Sequence, residues 1–192
     1  MARVKTAGKE LAILEAAARV FAGRPFHAVL IDDVAADAGI GKGTIYRYFQ
    51  TKDDLFFATV LFGLDRVAAA LEKGFASAKT PAERLERIAY EILDYFWDRR
   101  HLIPMLQHDE RDPSRRAELM KRRAAILRFA QETILVGIER RELRGIDARI
   151  GAELFLGMVR AANLFRAEGD RLEDLCREIT RVFLQGVRRE KR

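Results

Sequence analysis

Apolar residues recur along this chain at intervals of three and four, and strand-like alternation is nearly absent. Leu11, Leu14, Ala18 and Phe21 share one face of a first helix, because 3.6 residues make one turn. That helix ends near Gly23-Arg24-Pro25. A short segment from about Asp32 to Ala38 stops at Gly39, and another runs from about Lys42 to Phe49. A long helix carries Leu55, Val60, Leu64, Val67 and Leu71, and the next carries Leu85, Ile88, Ile92 and Phe96. The stretch His101–Gln107 contains Pro104 and reads as a broken helix. Leu119, Ile126, Ala130, Ile134 and Ile138 mark another long helix, broken at Gly145. Two more follow, one through Leu154, Met158 and Phe165, the other through Leu172, Leu175, Ile179, Val182 and Gly186. The pattern predicts an all-α chain of about nine helices with short links.

Capping signals sharpen several boundaries. Thr51 with Asp54, and Thr80 with Glu83, have the spacing of a capping box, in which side chain and backbone satisfy each other's free groups. Pro81 suits the first helical position. Asp112-Pro113 and Asp147 open the next two long helices, and Gly169-Asp170 turns the chain into the last. Residues 1–50 read as one small domain and 51–192 as a larger one, with the helix from Thr51 joining them.

Composition narrows the class. The 192 residues are 49% hydrophobic and 33% charged, a folded-protein balance, with a formal net charge of +6. That charge favours an anionic partner weakly. The single cysteine, Cys176, cannot bridge within the chain and fits a reducing cytosol. No window reaches the roughly 18 uncharged apolar residues of a membrane span. The expectation is a cytoplasmic protein without membrane, metal or cofactor.

The segment Gly39–Phe49, GIGKGTIYRYF, carries the candidate chemistry. As a phosphate loop it fails. The motif needs glycine five residues before Gly41, where Ala36 stands, and a hydroxyl after the lysine, where Gly43 stands. The dinucleotide fingerprint fails at Thr44. As a helix-turn-helix it works. Ala35 is small enough for a second helix to cross it, Gly39 can take the left-handed turn, and Val34 and Ile45 supply the contact between helices. Lys42, Thr44, Tyr46, Arg47 and Tyr48 are then placed to meet bases or phosphates in a major groove. Lys52, at the start of the following helix, is placed for a phosphate. The charge does not concentrate there: residues 1–55 hold eight basic and seven acidic side chains.

These residues, with Val34-Ala35, Ala38-Gly39-Ile40, Gly43-Thr44-Ile45-Tyr46, Tyr48-Phe49 and Lys52-x-x-Leu55, resemble the TetR family of transcriptional regulators. The match runs from about Leu11 to Phe56; the rest of the chain matches in architecture. The resemblance implies a three-helix DNA-binding domain on a helical ligand-binding and dimerisation domain, and a small-molecule effector that changes the distance between two DNA readers. It places Lys42, Gly43, Thr44, Tyr46, Arg47, Tyr48 and Lys52 toward DNA. The chain departs from the family at Leu30 and Ile31, where a capping hydroxyl is usual, and at Gly41, where serine is usual.

The larger domain is less legible. Trp97, His101, Met105, Phe129 and Phe165 are candidates for an effector pocket, although aromatics at helical spacing equally suit a core. Leu154, Phe155, Met158, Ile179, Phe183 and Val187 are candidates for a two-fold homodimer interface, or for that same core. A metal site from His101, His108, Asp109 and Asp112 has no compact spacing. The basic start MARVK reads as a disordered end or a minor-groove arm. The expected function is a ligand-responsive homodimeric repressor on a near-palindromic operator, without enzymatic activity. The alternative is a helical small-molecule-binding protein or enzyme without specific DNA binding.

Overall fold

The structure, a computed structural model, describes residues 2–22, 24–75, 77–102 and 112–187. Among the described residues it contains eight α-helices and no strand. They are α1 (Ala2–Ala22), α2 (Ile31–Asp37), α3 (Lys42–Tyr46), α4 (Lys52–Phe75), α5 (Pro81–Phe96), α6 (Pro113–Glu139), α7 (Ala148–Phe165) and α8 (Leu172–Val187). A 3-10 turn spans Phe26–Ala28, and a 3-10 segment spans Trp97–Leu102. Most of the expected broken helix His101–Gln107 lies outside the described residues. The first helix begins at Ala2, within the MARVK stretch that the sequence reads as a disordered end or a minor-groove arm.

The predicted caps form. The Thr51 hydroxyl accepts from the Asp54 N–H at 3.0 Å, and the Asp54 carboxylate accepts from the Thr51 N–H at 3.1 Å. Thr80 and Glu83 repeat the exchange at 3.2 and 3.3 Å. Asp112 accepts from Ser114 N–H, and Asp147 from Ile150 N–H. One boundary differs from the sequence expectation. Helix α6 ends at Glu139, six residues before Gly145, because Arg141 turns left-handed at φ 61°. The Glu142 and Leu143 N–H groups then close on the Gly137 carbonyl.

The chain forms two compact units, residues 1–64 with 101–119, and residues 65–100 with 120–192. In the first, Ile13, Ala17 and Phe21 of α1 pack with Val29, Val34, Ile45, Leu55 and Phe56. Phe56 meets both Phe21 and Phe26 edge to face, at 5.2 and 5.1 Å between ring centres, an arrangement favoured by the ring quadrupoles. In the second unit α5 packs on α7 and α8, which also pack on each other. Leu85, Ile88, Ala89 and Leu93 of α5 are fully buried, and Phe155 meets Phe183 edge to face at 5.3 Å. Cys176 lies in this core, where burial pushes its thiol up to about 12 and leaves it unreactive at neutral pH. Among the described residues no helix is long and apolar enough to cross a membrane.

Arg141 gives a test of this account. A left-handed L-residue costs about 1–2 kcal/mol, and glycine returns part of that through its greater entropy when unfolded. Arg141→Gly should therefore raise stability by roughly 0.5–1 kcal/mol, read as a higher urea midpoint. An unchanged or lower midpoint contradicts the assigned helix end.

Candidate nucleic-acid interface

Helix α3 has five residues, too few to be stable alone, so its surroundings must hold it. Gly39 supplies the entry. It sits at φ 64°, where the Ile40 N–H reaches the Ala35 carbonyl at 3.0 Å and the Gly39 N–H reaches Ala36 at 3.2 Å. This closes the free carbonyls of α2 and turns the chain sharply. Ile45 is then fully buried against the α2 face bearing Val34 and Ala35. At the exit, the Tyr48 and Phe49 N–H groups both close on the Ile45 carbonyl at 2.9 Å. Phe49 turns into the core, which ends the helix at Tyr46, three residues earlier than the apolar pattern suggests.

With its inner side pinned, α3 exposes the rest. Lys42, Gly43, Tyr46 and Arg47 are exposed, Thr44 and Tyr48 half-buried. Gly43 is informative. A Cβ added there meets nothing within 4 Å, and its φ is not in the left-handed region. The chain's own packing therefore gives no reason for glycine at this place. The family departures are visible too. Leu30 and Gly41 offer no side-chain cap, and at α2 the Asp33 carboxylate alone accepts, from the Leu30 N–H at 3.0 Å.

The acidic residues of α2 explain how a nearly neutral domain can face an anion. Asp37 pairs with Arg19, Asp33 with Arg24, and Asp32 with Lys42, at 2.7–2.9 Å. The hydrogen bond to Asp32 raises the Lys42 pKa, so this ammonium stays charged. The Lys42 pair is solvent-exposed, and exposed pairs are weak. Arg47 has no carboxylate partner among the described residues.

Lys52 is placed differently from the sequence expectation. Its Nζ donates to the carbonyls of Phe26 and Val29 at 2.9 and 3.0 Å, and lies 4.3 Å from the centre of the Phe26 ring. Two of its three donors are thus committed inside the unit, and the side chain ties the 26–29 turn to the start of α4. Sequence reasoning missed Arg115. Its guanidinium grips Asp54 at 2.7 Å and lies 5.1 Å from the Phe57 ring. The Asp54 carboxylate serves both the Thr51 cap and Arg115, and these partners, Thr51 first, hold its pKa below the ordinary aspartate value.

The second unit brings few of the predicted pocket residues together. Trp97 is half-buried under the Arg166 guanidinium, 4.0 Å from the ring centre. Phe129 packs edge to face on Phe75 at 5.1 Å. Phe165 is 83% exposed in the single chain. Met105 lies outside the described residues, as do His108 and Asp109 of the weighed metal site, and for His101 only the backbone is described. Of the predicted interface residues, Phe155, Ile179, Phe183 and Val187 are buried within the chain and leave little surface for another. They fill the α5–α7–α8 core because the buried and exposed apolar stripes of α7 and α8 are adjacent. The exposed stripe runs through Ile150, Leu154, Ala161 and Phe165, with half-buried Gly157 and Met158 along it and Val182 exposed on α8.

Comparison with known proteins agrees with this geometry. Residues 13–59 match the model of bacterial regulatory proteins, tetR family, and residues 78–187 match that of the tetracyclin repressor-like C-terminal domain. The fatty acid metabolism regulator protein of Bacillus subtilis (strain 168) is 23% identical over 156 residues, covering 79% of each chain. The transcriptional regulator FadR from Bacillus subtilis, solved with stearoyl-CoA, superposes with a TM-score of 0.74 at 19% identity, over 92% of this chain and 98% of that one. A protein of Saccharomonospora viridis, described as a transcriptional regulator and solved with choline, superposes with a TM-score of 0.80 at 18% identity, over 96% and 100%. At these identities the two structures share the fold.

The Lys52 geometry predicts a specific signature. Lys52→Met should lower the denaturation midpoint and weaken DNA binding, while the slope of log affinity against log salt stays that of the parent. A phosphate-contacting lysine does the opposite, reducing that slope by about one without loss of stability.

Proposed function

The chain belongs to the tetR family of bacterial regulatory proteins, and from that premise we propose that it is a homodimeric, cytoplasmic repressor, released from a near-palindromic operator by a small molecule. It is a DNA-binding regulator and not an enzyme, as membership of this family entails. In the proposed division of labour, residues 1–50 read DNA, and residues 51–192 pair the protomers and hold the effector.

The observation that carries the reading is the two-sidedness of α3. Ile45 is buried to fix it, while Lys42, Gly43, Tyr46 and Arg47 face solvent. A helix entering the major groove meets base edges with its first residues, which here are Lys42, Gly43 and Thr44. Tyr46 and Arg47 follow, Arg47 with its donors free for guanine or phosphate. Tyr48, half-buried beside Phe49, has less reach. Lys52 acts in this reading by holding the reader in place.

The dimer reading rests on the exposed stripe of α7. Leu154 is 62% exposed and Phe165 83%, and apolar side chains aligned on one helix face call for a partner. A second copy of α7 and α8 across a two-fold axis covers them, with Gly157 and Ala161 allowing close approach. Such symmetry sets two readers one turn of DNA, about 34–36 Å, or a multiple of it apart.

Selection from random duplexes should therefore return near-palindromes. Arg47→Ala or Tyr46→Ala should weaken binding to the selected site by roughly 5- to 150-fold, the value of one or two base contacts, with helical content unchanged. Either variant binding as tightly as the parent would show that α3 is not the reader. Leu154→Glu should give a monomer in sedimentation and lose tight operator binding; a dimer that survives it places the interface elsewhere.

A further inference from the structure

Two arginines of the second unit carry charge in a costly setting. Arg166, just past α7, lies over the Trp97 ring and donates to the Trp97 carbonyl. Arg99 lies 4.7 Å from the centre of the Tyr95 ring and donates to the Tyr95 carbonyl at 2.7 Å. Both acceptors lie where α5 passes into the Trp97–Leu102 3-10 segment, and carbonyls near a helix end are a recognised place for basic side chains. These bonds leave the rest of each guanidinium unaccounted for. Both side chains are half-buried, and among the described residues the buried Nε–H of each has no acceptor. Among the described residues neither has a carboxylate within ion-pair distance. Other arginines of this unit do: Arg87 has Glu91, Arg122 has Asp65 and Arg123 has Glu153. One turn before Arg166, Asn163 is 2% exposed and its Oδ1 also lacks a partner. A desolvated cation with an unmet donor is unfavourable until an acceptor arrives, and a charged acceptor is the strongest.

We propose that Arg99 and Arg166 form the charged end of the effector site, and that the effector is an organic anion, a carboxylate or phosphate on an apolar body. This rests on the reading that a small molecule controls DNA release. The two guanidiniums are anchored on the carbonyls of Tyr95 and Trp97, two residues apart in the chain. The Tyr95 and Trp97 rings offer apolar surface to the rest of the molecule. The relatives solved with stearoyl-CoA and with choline hold ligands of opposite charge, and the chemistry here selects between them. A quaternary ammonium is recognised by open aromatic faces. In this chain a guanidinium already covers one face of Tyr95 and one of Trp97, and its charge repels a cation.

The test is thermal unfolding of the full chain with decanoate, palmitoyl-CoA, methyl decanoate and choline, and operator binding measured alongside. An anionic probe should raise the melting temperature and release the operator, while the neutral ester and choline do neither. Arg166→Met and Arg99→Met should each lose the response to the anion while still binding operator. The proposal is overturned if neither anion shifts the parent, if choline or the ester acts as strongly, or if both variants respond as the parent does. Failure of the parent to bind any operator would instead sink the regulator reading, so the two failures are distinguishable.

Discussion

The DNA-reading part of this protein depends on one constraint: a helix of five residues must be held rigid from one side only. Burial of Ile45 supplies the hold, and the left-handed Gly39 and the inward turn of Phe49 fix where the helix begins and ends. Nothing intrinsic to so short a helix would keep it formed. The same arrangement leaves Gly43, Tyr46 and Arg47 exposed, and Lys42 tied only to the exposed Asp32.

Around that helix, charge is arranged more than accumulated. Three aspartates of α2 are each paired with a base, so a domain with almost equal numbers of acids and bases presents no free acid from α2 beside α3. Two further cations support the frame. Lys52 clasps the turn before α2, and Arg115 holds the carboxylate that caps α4. Because Asp54 is shared between Thr51 and Arg115, the start of α4 and the 112–119 segment are joined through a single side chain.

Local signals were legible in the sequence. The capping acids at Asp54, Glu83 and Asp147 sit three residues from their partners, and Gly39 announces its turn, because each depends only on near neighbours. Long-range commitments were not. The bond from Lys52 to Phe26 spans 26 residues, and no spacing rule reports it. The end of α6 at Arg141 was hidden because arginine does not advertise a left-handed turn, whereas Gly145 does. On α7 and α8, periodicity identified apolar faces but could not say which stripe faces inward. Phe155 and Leu154 are chain neighbours, yet one is fully buried and the other mostly exposed.

The claim on which the account stands is that the outer side of α3 docks on a duplex. The first N–H groups of a helix have no acceptor within it, so the Lys42 and Gly43 amides report directly on what approaches. Amide hydrogen exchange, with and without a selected operator, is the decisive measurement. The account predicts that exchange at 42–47 slows with the operator and not with unrelated duplex of equal length. Unchanged exchange there, with protection by the operator elsewhere in the chain, would contradict it.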